Sequence, residues 1–116
     1  MTRIADLLAA GPTWSFEFFP PKTPDGLVAF DESVHALAAL EPSYVSVTYG
    51  ALGATRDTTR DLVIRVNREQ AFPAMPHLTC VGHTRAELVE LLEQYQAGGV
   101  ENILALAGDP PADGSD

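Results

Sequence analysis

The chain has 116 residues, 7 Lys+Arg against 16 Asp+Glu and a formal net charge of -9, with 46% apolar and 20% charged residues, the proportions of one soluble globular domain. No apolar run approaches the roughly 18 residues of a membrane-crossing helix, the opening MTRIADLLAAGP carries Asp6 and is too short for a secretory signal, and the acidic balance argues against nucleic acid as a partner. One cysteine, Cys80, excludes an internal disulfide and fits a reducing, cytoplasmic compartment.

In chain order, a short helix with Ile4, Leu7 and Leu8 leads into a strand over residues 13–19. Thr23-Pro24 supplies an N-cap and a proline at the first helical position, opening a helix with Phe30, Val34 and Leu37 on one face. That helix stops at Glu41-Pro42, and a strand over 44–49 follows. A third helix opens near 55–57 and buries Leu62, Val63 and Val66; the third strand is 75–80. The fourth helix, 84–96, places Leu88, Leu91, Leu92 and Tyr95 at i, i+3, i+4 and i+7. Thr84 and Glu87 form a T-x-x-E capping box at its start, and Gly98-Gly99 offers a left-handed cap at its end. A strand over 102–107 closes the series, and 110–116 reads as an unstructured tail. The strands begin about 30 residues apart, the length of one strand-plus-helix unit, so a parallel sheet is expected.

Strand parity separates two parallel folds. A doubly wound sheet has helices on both faces, so both parities would be apolar. Here Phe16, Phe18, Val45, Val47, Leu78, Leu104 and Leu106 form one apolar parity. The other holds Ser15, Glu17, Ser46, Thr48, His77, Thr79, Ala105 and Asp109. No G-x-G-x-x-G follows the first strand. The expected fold is therefore α/β, a parallel βα barrel of the TIM type. Such a barrel has eight strands in about 250 residues, whereas four units occupy residues 1–116 as one domain, a partial barrel. Unpaired strand edges make truncation or self-association the expectation.

Barrel enzymes carry their chemistry at the C-terminal ends of the strands, where Glu17, Thr48, His77 and Asp109 fall. Singly, each has a structural explanation: a solvated carboxylate, a β-propensity threonine, a hydrogen-bonded histidine, a turn aspartate in Gly-Asp-Pro-Pro. Together, at consecutive strand ends, they point to a shared site. Trp14, Phe16, Phe18 and Phe19 flank Glu17, and an apolar setting raises a carboxyl pKa, which suits a general acid. Cys80 has the wrong parity for the interior and is expected to pack against a helix. His83 is expected exposed and His35 structural or solvated. His77 and His83 lack a third ligand, so no metal is expected. The Gly50-x-x-Gly53 loop either approaches a ligand or simply turns, and Lys22 is either solvated or steers ligands at the site mouth.

Ser15-Phe16-Glu17-Phe18-Phe19-Pro20-Pro21-Lys22-Thr23 closely resembles the opening strand of methylenetetrahydrofolate reductases. Ser46-Val47-Thr48-Tyr49-Gly50, the loop over 53–59, His77-Leu78-Thr79-Cys80 and Asn102-Ile103-Leu104-Ala105-Leu106 before Gly108-Asp109-Pro110 match in the same order. The resemblance implies a cytoplasmic βα-barrel flavoprotein of one-carbon metabolism and methionine biosynthesis. It would reduce methylenetetrahydrofolate to methyltetrahydrofolate with NADH or NADPH through FAD. By position, Glu17 matches the general acid that protonates the folate ring nitrogen, and Asp109 a carboxylate near the flavin that contacts folate. Thr48, Tyr49 and His77 match flavin or nicotinamide contacts, Thr48 also lying toward the substrate, and Gly108 matches a flavin-loop residue.

One position departs from the pattern: Ala107 stands where the family commonly has arginine before Gly-Asp. Either another group compensates, or flavin binds weakly, or the chain belongs to a flavin-independent subset. The fragment alone is expected to be inactive. The alternative from a different class is a non-catalytic half-barrel that assembles through its strand edges; a proline dehydrogenase relative is disfavoured by the Glu17 motif.

Overall fold

The computed structural model describes residues 2–49 and 56–108. Asp109, the tail over 110–116 and the Gly50-x-x-Gly53 loop lie outside the described residues. The element order is α1 (Ile4–Ala10), β1 (Ser15–Phe18), α2 (Pro24–Ala38), β2 (Tyr44–Val47), α3 (Arg56–Glu69), β3 (Ala74–Thr79), α4 (Arg85–Ala97) and β4 (Leu104–Leu106). The four strands pair in parallel in the order β1-β2-β3-β4. Sequential order is the winding of a βα barrel and differs from a doubly wound sheet, whose order reverses at a switch point. Among the described residues the fold is α/β with four parallel strands and four helices, consistent with a partial barrel.

The helix starts follow their local chemistry. Thr23 caps α2 by accepting from the Gly26 amide at 3.0 Å, with proline in the first turn. At α4 the capping box is complete: Thr84 Oγ1 accepts from the Glu87 amide at 3.1 Å, and the Glu87 carboxylate accepts from the Thr84 amide at 2.8 Å. Hydrogen bonding to the Glu87 carboxylate from Thr84, its backbone amide first and its side chain second, holds the Glu87 carboxyl below its ordinary pKa. Asn67 joins the end of α3 to the start of β3. Its amide donates to the Val63 and Ala74 carbonyls, both at 2.9 Å, and its Oδ1 accepts from the Ala74 amide.

The core lies between one face of the sheet and helices α2, α3 and α4. Phe30 and Val34 from α2, Leu62, Val63 and Val66 from α3, and Leu91 and Tyr95 from α4 pack with Val45, Val47, Ala74 and Leu78. Phe16 and Phe18 extend this layer, Phe18 meeting Phe30 edge-on at 5.2 Å between ring centres. Burial of this apolar surface is the main force holding helices to sheet. Gly98 lets α3 and α4 approach closely, since a Cβ there would stand 2.7 Å from Ile64 Cγ1. The start of α1 is tied to the chain before β4: the Ile4 amide donates to Asn102 Oδ1 at 2.7 Å, and Asn102 Nδ2 donates to the Thr2 carbonyl at 3.0 Å.

Three expectations about the fold are corrected. Register pairs His77 with Leu104, Leu78 with Ala105 and Thr79 with Leu106, so Leu104 and Leu106 share the polar face and Ala105 lies on the opposite one, where it is itself exposed. The parity of β4 is thus reversed, because an alternation of leucines does not reveal which face a short edge strand presents. Leu92 is exposed although it fits the helical period; Leu91 and Tyr95 take the buried positions. The left-handed end expected of Gly98-Gly99 is present, supplied by Gly99 at φ 84° while Gly98 has φ -80°. Cys80 is exposed, not packed on a helix, because β3 ends at Thr79.

Candidate active site

Glu17, Ser46 and Met75 stand side by side across β1, β2 and β3, and His77 lies two residues further along β3. All point away from the helices, because side chains alternate along a strand and Phe16, Val45 and Ala74 occupy the covered face. Ser46 Oγ donates to Glu17 Oε1 at 3.0 Å. His77 Nε2 lies 2.9 Å from the same oxygen, outside hydrogen-bonding alignment, and this buried nitrogen has no hydrogen-bond partner among the described residues. The Glu17 side chain is 52% exposed and that of His77 14%, so a half-open carboxylate sits beside an enclosed imidazole. The aromatic enclosure expected around Glu17 is absent. Phe16 and Phe18 turn to the opposite face, and Phe19 is exposed.

The remaining candidates occupy the same end of the sheet without joining this cluster. Thr48 follows β2: its amide donates to the Phe18 carbonyl at 2.9 Å, and its carbonyl accepts from the buried Thr59 hydroxyl at 3.0 Å. Tyr49 packs against the core, and its hydroxyl is 2.7 Å from His83 Nε2, with the rings edge-on at 5.7 Å. His83 is therefore partly buried and bonded, not exposed. Burial pushes the Tyr49 hydroxyl up to about 12, with the nearby Arg56 charge pulling it down. Gly108, just past β4, has φ 89°, and a Cβ there would stand 2.5 Å from Val81 Cγ1 and 3.1 Å from Thr79 Cβ. Only glycine suits that backbone and that gap. Ala107 is exposed, and its carbonyl accepts from the Val81 amide at 3.2 Å. Asp109 lies outside the described residues.

Two features escape the sequence reading. Ser46 shows the right parity but not its commitment to Glu17, which requires the β1–β2 register. The pairing of Tyr49 with His83 joins the end of β2 to the start of α4, and no local spacing signals it. A second orphan polar atom, the buried Thr79 Oγ1, lies two residues beyond His77 on the same face.

A half-open carboxylate beside a hydroxyl donor and an enclosed imidazole, near a tight glycine turn, is a set able to hold a polar heterocycle and move a proton. A family model for methylenetetrahydrofolate reductase matches residues 2–116. The chain belongs to the methylenetetrahydrofolate reductase family. Its sequence is 41% identical over 100 residues to a 5,10-methylenetetrahydrofolate reductase of Pectobacterium carotovorum, covering 86% of this chain and 34% of that protein. The Salmonella typhimurium protein of the same name is 42% identical over 101 residues, with the same coverage. A methylenetetrahydrofolate reductase (NADH) 1 of Arabidopsis thaliana is 37% identical over 110 residues, covering 94% of this chain and 19% of that protein. The chain thus spans about a third of the length of these bacterial reductases and about a fifth of the plant one. No helix among the described residues is long and apolar enough to cross a membrane.

Proposed function

We propose that this chain supplies the acid-bearing part of a methylenetetrahydrofolate reductase, which reduces methylenetetrahydrofolate to methyltetrahydrofolate at the expense of NADH or NADPH. The observation carrying this reading is the Glu17 carboxyl, half exposed on the open face of a parallel sheet, with Ser46 and His77 gathered on one of its oxygens. Glu17 acts as the general acid: it delivers a proton to the folate ring nitrogen, which opens the methylene bridge to an electrophilic iminium. Its exposure gives a ligand direct access, while its placement on a strand limits its wandering.

The residues present fit a flavin. His77 Nε2 and Thr79 Oγ1 are buried polar atoms on the face concerned without hydrogen-bond partners among the described residues, and Gly108 keeps the chain close to β3 where a side chain would intrude. FAD, when bound, relays hydride from the nicotinamide to the folate. His77 and Gly108 would hold it, with Thr48 and Tyr49 contributing at the end of β2 and Asp109 contacting both flavin and folate. The Tyr49 hydroxyl is already engaged by His83, so its role is to fix the end of β2 against α4. The NADH named for the plant relative favours NADH as reductant. The barrel completed by further βα units gives this face its cover, and the exposed Cys80 thiol suits the reducing cytoplasm.

The decisive experiment is Glu17→Gln in a full-length reductase carrying this segment. Folate reduction is expected to vanish while reduction of the flavin by nicotinamide continues at its normal rate. Retained folate turnover would overturn the assignment.

A further inference from the structure

The two oxygens of Glu17 are not equivalent. Oε1 accepts the Ser46 hydroxyl at 3.0 Å and lies 2.9 Å from His77 Nε2, while Oε2 has no hydrogen-bond partner among the described residues. Ser46 is 6% exposed and sits in register with Glu17 on the adjacent strand, so backbone pairing fixes the hydroxyl's origin. A serine hydroxyl has one proton to give, and here it is given to Oε1. That donation is compatible with both states of the carboxyl. With the proton on Oε2, Oε1 is the carbonyl oxygen and accepts; after transfer, the carboxylate accepts more strongly.

We infer that Ser46 is a positioning residue that holds Glu17 through Oε1 and so makes Oε2 the oxygen that exchanges the proton with substrate. The inference rests on the proposed acid role of Glu17. In the transfer, the Oε2–H bond breaks and an N–H bond forms at the folate ring nitrogen. The electron pair left on the carboxylate is shared toward Oε1, where the Ser46 hydroxyl is already aimed. Without Ser46 the half-exposed side chain samples more rotamers, and either oxygen carries the proton.

The test uses a full-length reductase carrying this segment, with the two half-reactions followed separately. Ser46→Ala is expected to lower kcat for folate reduction about tenfold or more, the scale of a lost hydrogen bond to a charged group, with the folate KM and flavin reduction by nicotinamide little changed. Ser46→Thr, which keeps the hydroxyl, is expected to restore most of the rate. Ser46→Cys, similar in volume but a weak donor, should resemble Ser46→Ala and serves as the second variant if alanine disturbs folding. Unchanged folate reduction in Ser46→Ala, with Glu17→Gln inactive, would overturn the role of Ser46 and leave that of Glu17 standing. An equal fall in both half-reactions would assign Ser46 a merely structural part and also overturn it. Folate turnover retained in Glu17→Gln would remove the acid role itself, and this inference with it.

Discussion

The two faces of the sheet are built from the same strands and differ in almost everything else. On the covered face, Phe16, Val45, Val47, Ala74 and Leu78 meet three helices and form the core. On the open face, one residue away along each strand, stand Glu17, Ser46, Met75 and His77, with Leu104 and Leu106 at 36% and 39% exposure on β4. Stability depends on burial and chemistry on access, and period-two alternation lets one short strand serve both. The comparison also shows a gradient within the open face. Ser46 and His77 are enclosed by their neighbours, whereas Glu17 on the β1 edge and the leucines on the β4 edge are exposed.

If the faces divide labour in this way, substitutions should sort by face. The largest loss of stability is expected from Leu91→Ala, which empties a nearly fully buried position under the covered face and should cost about 2–5 kcal/mol in urea denaturation. A small effect there would mean that this layer relaxes easily. Gly98→Ala pushes a methyl toward Ile64 and should cost about 1–3 kcal/mol, a clash that Ile64→Ala, which removes the atoms the methyl meets, ought to relieve in the double variant.

At the junction of β2 and α4 the effects should be near 1 kcal/mol. Thr84→Ala removes half of the capping box and should cost about 1 kcal/mol. Tyr49→Phe loses the contact with His83 and should cost about as much. The folded Tyr49 pKa, about 12, lies above the ordinary tyrosine value of 10.0, so the folded state keeps its proton longer. That contribution is complete below pH 10 and drains away as pH rises toward 12, and Tyr49→Phe should remove this part of the alkaline decline in a pH series of thermal melts. The smallest effect on stability belongs to the open face: Glu17→Gln should change it by no more than about 0.5 kcal/mol, while the same substitution in a full-length reductase carrying this segment is expected to abolish folate reduction. A large destabilisation by that variant would break the division between the faces.

Local signals carried far in this chain. Thr23-Pro24 and the Thr84–Glu87 box mark helix starts because a cap depends only on residues within one turn. The core faces of α2 and α3 follow from their apolar period, with Phe30, Val34, Leu62, Val63 and Val66 all buried. The signal weakened where two partners compete for one role. Leu92 has the right spacing, yet the face turned to the sheet is centred on Leu91 and Tyr95. It failed at β4, whose three residues carry too little pattern to set a parity. The candidate site was half legible: Glu17 and His77 do meet, while Tyr49 turns to the other face and pairs with His83.

From the order of residues alone came the parallel α/β character, the polar parity of the first three strands and the motifs shared with methylenetetrahydrofolate reductases, because each depends on short-range spacing. Only the folded chain decided which strand lies beside which and in what register. That choice sets Ser46 against Glu17 and aims the leucines of β4 at the open face. The physical reason is that hydrogen-bonded pairing between strands joins residues about thirty positions apart, and a shift of one place would exchange the two faces.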